Sequence, residues 1–65
     1  MTKAEITAAV DYIKAVAGDD EAAHSKEDDL YHDFVAFVAT RNDDIGHLAR
    51  IVLKTTDINF SRWYA

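Results

Sequence analysis

No cysteine occurs anywhere in this chain of 65 residues, and that absence constrains its fold more than any other feature. A domain so short buries only about 60% of the surface its unfolded chain exposes, and small domains commonly make up the deficit with disulfides or a metal. Without cysteine neither a disulfide nor a zinc–thiolate centre is available. Whatever holds the chain together therefore comes from helix packing or from a partner subunit. There is room for one hydrophobic core, so residues 1–65 form a single domain.

Hydrophobic residues make up 49% of the chain, enough to build a core rather than remain disordered. They recur at helical spacing. Thr2-Lys3-Ala4-Glu5 has the capping-box pattern, and Ile6, Ala9, Val10, Ile13, Val16 and Ala17 follow three and four residues apart, with Gly18 as a stop. This predicts a first helix over about Lys3 to Ala17. Asp19 to His24 reads as a polar connection. Ser25-Lys26-Glu27-Asp28 repeats the capping signature and predicts a second helix from Ser25 to about Arg41. Leu30, Phe34, Phe37 and Val38 share one side of it, and Tyr31 and Val35 widen that stripe beyond what one neighbour covers, so this helix is expected at the centre.

Asn42-Asp43-Asp44 supplies a turn and cap. Ile45, Leu48, Ala49, Val52 and Leu53 then give a third helix to about Lys54, in which Gly46 costs about 1 kcal/mol relative to alanine. His47, Arg50 and Lys54 are expected on its outer face as a modest basic strip. The closing Asp57–Ala65 stretch is long enough for one turn, starting at Asn59 or Ser61. Strand alternation, internal repeats and proline are all missing. The expected fold is all-α: a small bundle of three antiparallel helices, with a C-terminal aromatic tail or a short fourth helical turn folded across it.

The formal charge is −5, and its distribution says more than its sum. Residues 19–33 hold Asp19, Asp20, Glu21, Glu27, Asp28, Asp29 and Asp33 against Lys26 alone, while the flanking thirds are nearly balanced. Such a block repels nucleic-acid phosphates and anionic membranes and attracts basic surfaces. Direct nucleic-acid binding is not expected; a protein partner with a basic surface is. Carboxylates spaced along a helix also imitate the phosphates of a nucleic acid, so mimicry toward a nucleic-acid-binding protein is one form this takes. The plainer alternative is a solvated face, favoured near helix N-termini in any case. No apolar run reaches the ~18 residues needed to span a bilayer, and the first residues lack a signal-peptide pattern, which points to the cytoplasm.

Few residues are arranged for chemistry. His24, Asp28 and His32 are spaced four apart, as ligands on one helical face would be, but a cap at Ser25 would leave His24 outside the helix. An exposed face also lacks the second shell a metal needs. Neither a metal nor another cofactor is expected. Gly18 and Gly46 make no phosphate-binding loop. Ser25, Thr40 and Ser61 have no identifiable base, and carboxylates facing water lack the divergent pKa values of a general acid and base. No enzyme is expected. The tail residues Phe60, Arg62, Trp63 and Tyr64, with Ile58, are of types enriched in interfaces, yet they would equally complete the core of a small bundle.

Two segments, Glu21-Ala22-Ala23-His24-Ser25-Lys26-Glu27-Asp28-Asp29-Leu30 and Ile58-Asn59-Phe60-Ser61-Arg62-Trp63-Tyr64-Ala65, resemble small uncharacterised helical proteins of bacteriophage genomes. The resemblance covers about a third of the chain. It implies a bacterial host cytoplasm and an accessory role toward a host or defence protein, with His24, Glu27, Asp28, Arg62 and Trp63 as the positions concerned. Taken together, the sequence leads to a non-enzymatic interaction module that binds a basic partner through the acidic block. The alternative is a homo-oligomeric structural protein associating, for instance as a homodimer, through Tyr31, Val35 and the tail aromatics.

Overall fold

A computed structural model describes residues 1–62, and all regular structure among them is helical. Helix α1 runs over Lys3–Ala15. Its capping box forms as expected: the Glu5 N–H donates to Thr2 Oγ1 at 3.1 Å and the Thr2 N–H donates to Glu5 Oε1 at 2.9 Å. Those hydrogen bonds from Thr2 hold the Glu5 carboxyl below its ordinary value. The helix ends two residues short of the expected Ala17, where the Val16 N–H reaches the carbonyls of Tyr12 and Ile13. Gly18 lies in the following turn without a positive φ, so the left-handed stop expected of it is not used.

Helix α2 spans Asp20–Val38, starting five residues before the expected Ser25. Asp19 is the cap instead, its Oδ1 accepting from the Ala22 N–H at 3.1 Å. Asp20 and Glu21 in the first turn complement the partial positive charge of the helix N-terminus, and Ala22 and Ala23 carry the helix onward. Ser25 had the right neighbours for a cap, but the better acceptor came first. The expected polar connection over Asp19–His24 shrinks to a four-residue turn.

The corner between α2 and α3 (Asp44–Leu53) is the most tightly tied part of the chain. Thr40 Oγ1 donates to the Phe37 carbonyl at 2.7 Å. Arg50 reaches back from α3, its Nη1 donating to the Ala39 carbonyl at 2.7 Å and the Arg41 carbonyl at 3.0 Å, and so satisfies acceptors at the end of α2. Arg50 is thus part of the corner rather than of a basic strip. Asp43 caps α3 through the Gly46 N–H at 3.0 Å and forms an ion pair with Arg41. The Arg41 guanidinium, and secondarily the Gly46 N–H, hold the Asp43 carboxyl below its ordinary value, and Asp43 in turn raises that of Arg41. Gly46 is buried against the Arg41 backbone, where a Cβ would overlap the carbonyl oxygen. This glycine is required by close packing and is not merely tolerated.

After α3 comes a single 3-10 turn, Lys54–Asp57; no turn starts at the expected Asn59, and one from Ser61 would lie partly outside the described residues. Arg62 closes the end: its Nη2 donates to the carbonyls of Thr55 (2.9 Å) and Ile58 (3.2 Å), and its guanidinium lies 3.8 Å from the centre of the Phe60 ring. Phe60 therefore stacks on an arginine. Trp63 and Tyr64 lie outside the described residues.

The three helices do not close on one another. α2 lies against both α1 and α3, as its wide apolar stripe requires, but no Cα of α1 comes within 8 Å of one in α3. The Cα atoms occupy a slab 39 × 33 × 10 Å, whereas two stacked helical layers need about 14 Å. Their radius of gyration is 13.6 Å, against about 11 Å for a compact domain of this length. The expected bundle is thus opened into one layer. Among the described residues only Ala49 (8% exposed) is a buried hydrophobic side chain.

Candidate interaction surfaces

Opening the bundle leaves one side of the layer apolar. Between α1 and α2 lies a trough lined by Ile6, Leu30, Tyr31, Phe34 and Val35. It continues across α2 onto α3, where Phe34, Val35 and Val38 face Ile45, Leu48, Ala49 and Val52. The two stretches share Phe34 and Val35, so they form one surface. Phe34 and Phe37 are tilted neighbours with ring centroids 6.5 Å apart, and both remain nearly half exposed. Tyr31 is 61% exposed, Leu48 56% and Val52 55%. Isolated apolar side chains on a surface are ordinary; a continuous patch of this kind is not.

The seven acidic positions do not share one face. Asp19 is engaged as the α2 cap. Glu27 and Asp20 precede Phe34 by seven and fourteen residues, which sets them on its side of α2, beyond the N-terminal end of the apolar stripe. Asp29 and Asp33 line a cleft toward α1 with Lys26, Tyr12 and Ile13. Asp28 and Asp29 line another with His32, Thr55, Thr56 and Arg62. His24 Nε2 stands 3.6 Å from Asp28 Oδ1, and His32 Nδ1 3.6 Å from Asp33 Oδ1. Asp28, Asp29 and Asp33 do lie away from the trough, as the expected solvent face requires, while Asp20, Glu21 and Glu27 spread around the N-terminal turns.

Because α2 begins at Asp20, His24 belongs to the helix after all, and the four-residue register with Asp28 and His32 holds. The Ser25 cap that was expected to break it does not exist. Even so, among the described residues no three His, Asp or Glu side chains are placed to hold a metal ion together. No buried side-chain nitrogen or oxygen among them lacks a hydrogen-bond partner. Among the described residues no helix is long and apolar enough to cross a membrane. Of the tail residues, Phe60 is 53% exposed and Arg62 is bonded to backbone carbonyls. Neither lines the apolar trough.

The sequence identified the apolar stripe, which its first reading placed in the core and only its alternative gave, through Tyr31 and Val35, to an interface. Its exposure had no signal of its own, because helical spacing says which residues are apolar and not whether a neighbour covers them. Comparison with protein-family models, with curated proteins and with solved structures finds no match.

Proposed function

We propose that this chain is a non-enzymatic protein-interaction module whose working surface is the apolar trough running from Ile6 across α2 to Val52. One observation carries this: a continuous apolar surface on three helices is left open, while among the described residues almost no hydrophobic side chain is buried. Apolar area left in water on this scale marks an interaction site. The acidic block serves as the polar outside of the module. Asp28, Asp29 and Asp33 lie away from the trough, which favours a second, weaker docking of a basic protein there. The spread of the other acids around α2 makes them a poor copy of a phosphate row, so mimicry of a nucleic acid has less support than simple charge attraction.

The two surfaces separate by ionic strength. Wild-type protein and two variants, Val52→Glu and the triple Asp28→Asn/Asp29→Asn/Asp33→Asn, would be immobilised and exposed to bacterial lysate, the source to which the phage-like segments point. Association through the trough survives high salt and is lost in Val52→Glu. Association through the acids disappears at high salt and in the triple variant. Identical captured proteins for all three would refute both surfaces.

A further inference from the structure

The apolar trough needs an occupant, and we infer that it is a second copy of this chain, packed face to face about a two-fold axis with the two α2 helices antiparallel. The inference rests on the trough being an interaction surface, as proposed above, and names its partner.

Area supplies the first argument. The accessible surface is 5214 Å², whereas a compact 7.3 kDa protein exposes about 4,200 Å². The excess, on the order of 1,000 Å² per chain, is the exposure of the whole open layer; an interface of roughly 2,000 Å² between two chains would remove it, and that is the range of stable homodimers. The surplus and the need agree. Thickness gives the same answer. A slab of 10 Å becomes a two-layer domain with an enclosed core only when another layer is stacked on it. The closed bundle that one chain does not reach is reached by two.

Charge sets the orientation. Every charge on α2 lies between Asp20 and Asp33, and the helix from Phe34 to Val38 has none. A parallel pair would set two acidic blocks side by side on chains that each carry −5. An antiparallel pair places them at opposite ends. With the axis near Phe34, the middle of the Leu30–Val38 stripe, residues 30–34 of each copy lie level with the uncharged 34–38 stretch of the other. Such an interface is isologous, so each contact occurs twice.

Sedimentation equilibrium tests the inference. Wild-type protein would be followed from about 1 μM to about 1 mM, at low and high salt, beside Leu48→Glu and the outer-face control His47→Glu. The expected mass is twice the 7.3 kDa of the chain, with tighter association at high salt because screening relieves repulsion between like-charged copies. Leu48→Glu buries two unpaired charges per dimer and raises the dissociation constant about 100-fold or more, while His47→Glu leaves it unchanged at high salt, where repulsion is screened. Should Leu48→Glu fail to fold, the wild-type mass still decides. A wild type that stays at the single-chain mass overturns the dimer. A fluorescent probe of apolar surface then separates the two ideas. Strong probe binding by that monomer leaves the trough open for a different protein; no binding means the trough is closed within one chain, and the proposed interaction surface fails as well.

Discussion

Replacing Gly46 by alanine should destabilise this protein, although the same change in an unobstructed helix interior stabilises by about 1 kcal/mol. The added Cβ would overlap the Arg41 carbonyl oxygen and lie 2.7 Å from its carbonyl carbon and 2.9 Å from Arg41 Cβ. Ordinary contact begins near 3.4 Å, so the corner would have to open by about 1 Å. The obstructing atoms are backbone, and the same Arg41 carbonyl is held by Arg50 at 3.0 Å. Overpacking costs about 1–3 kcal/mol and each strained hydrogen bond about 1 kcal/mol more, against about 1 kcal/mol regained in helix propensity. The net loss is about 1–3 kcal/mol, a large share of the ~3–10 kcal/mol available to a chain of this length. Urea unfolding followed by circular dichroism, at fixed protein concentration because association adds to stability, measures it. Gly18→Ala is the internal control. Nothing lies within 4 Å of its Cβ position and its φ is not positive, so it should be neutral or stabilising by up to about 1 kcal/mol. A Gly46→Ala protein as stable as wild type would refute the close approach of α3 to the Arg41 backbone.

Three further outcomes follow from the caps and the corner. Asp19→Ala should cost about 1 kcal/mol, whereas Ser25→Ala, inside α2, should change stability by less than about 0.5 kcal/mol; the reverse order in denaturant midpoints would return the helix start to Ser25. Arg50→Met should cost about 1 kcal/mol by leaving the Ala39 and Arg41 carbonyls to water, and faster amide exchange in the last turn of α2 would show it. Asp43 binds its proton less readily when folded than when unfolded, so its contribution is present above about pH 4, the unfolded value, and is lost as pH falls through the lower folded one. Asp43→Asn keeps a capping acceptor but removes the charge, so the slope of stability against pH should flatten in that acid range; an unchanged acid titration would contradict the Arg41 pairing.

The elements were more legible in the sequence than their assembly. The capping box at Thr2–Glu5 and the turn at Asn42–Asp44 are local, short-range chemistry, and α1 and α3 begin where those residues place them. The start of α2 was obscured by two competing caps. Asp19 prevails because it puts two acids in the first turn and two alanines behind them, whereas Ser25 would have left residues 20–24 in a loop with nothing to hold them. Gly46 was misjudged because propensity weighs a glycine against alanine in an isolated helix, and the close neighbour here, Arg41, comes from five residues earlier around a corner. Arg50 looked like a surface cation for the same reason: its two acceptors are nine and eleven residues away. The width of the stripe on α2 correctly put that helix between the other two. Nothing in helical spacing says whether α1 and α3 then meet.

The corner bears on how the chain folds as well as on what it becomes. Its ties join residues at most eleven positions apart, so the loop they close is short and little chain entropy is lost before they form. Among the described helices α1 packs against α2 alone, with no such tether to α3. The α2–α3 pair should therefore form the folding nucleus, with α1 docking on the downhill side of the barrier and detaching first in native-state exchange. Kinetic φ-values high for Arg50→Met and near zero for Ile13→Val would establish that order, and the opposite pattern would remove it. In a cell, the α2–α3 part of the trough would exist before α1 is in place, and a second chain would meet a surface already laid out by the first part to fold.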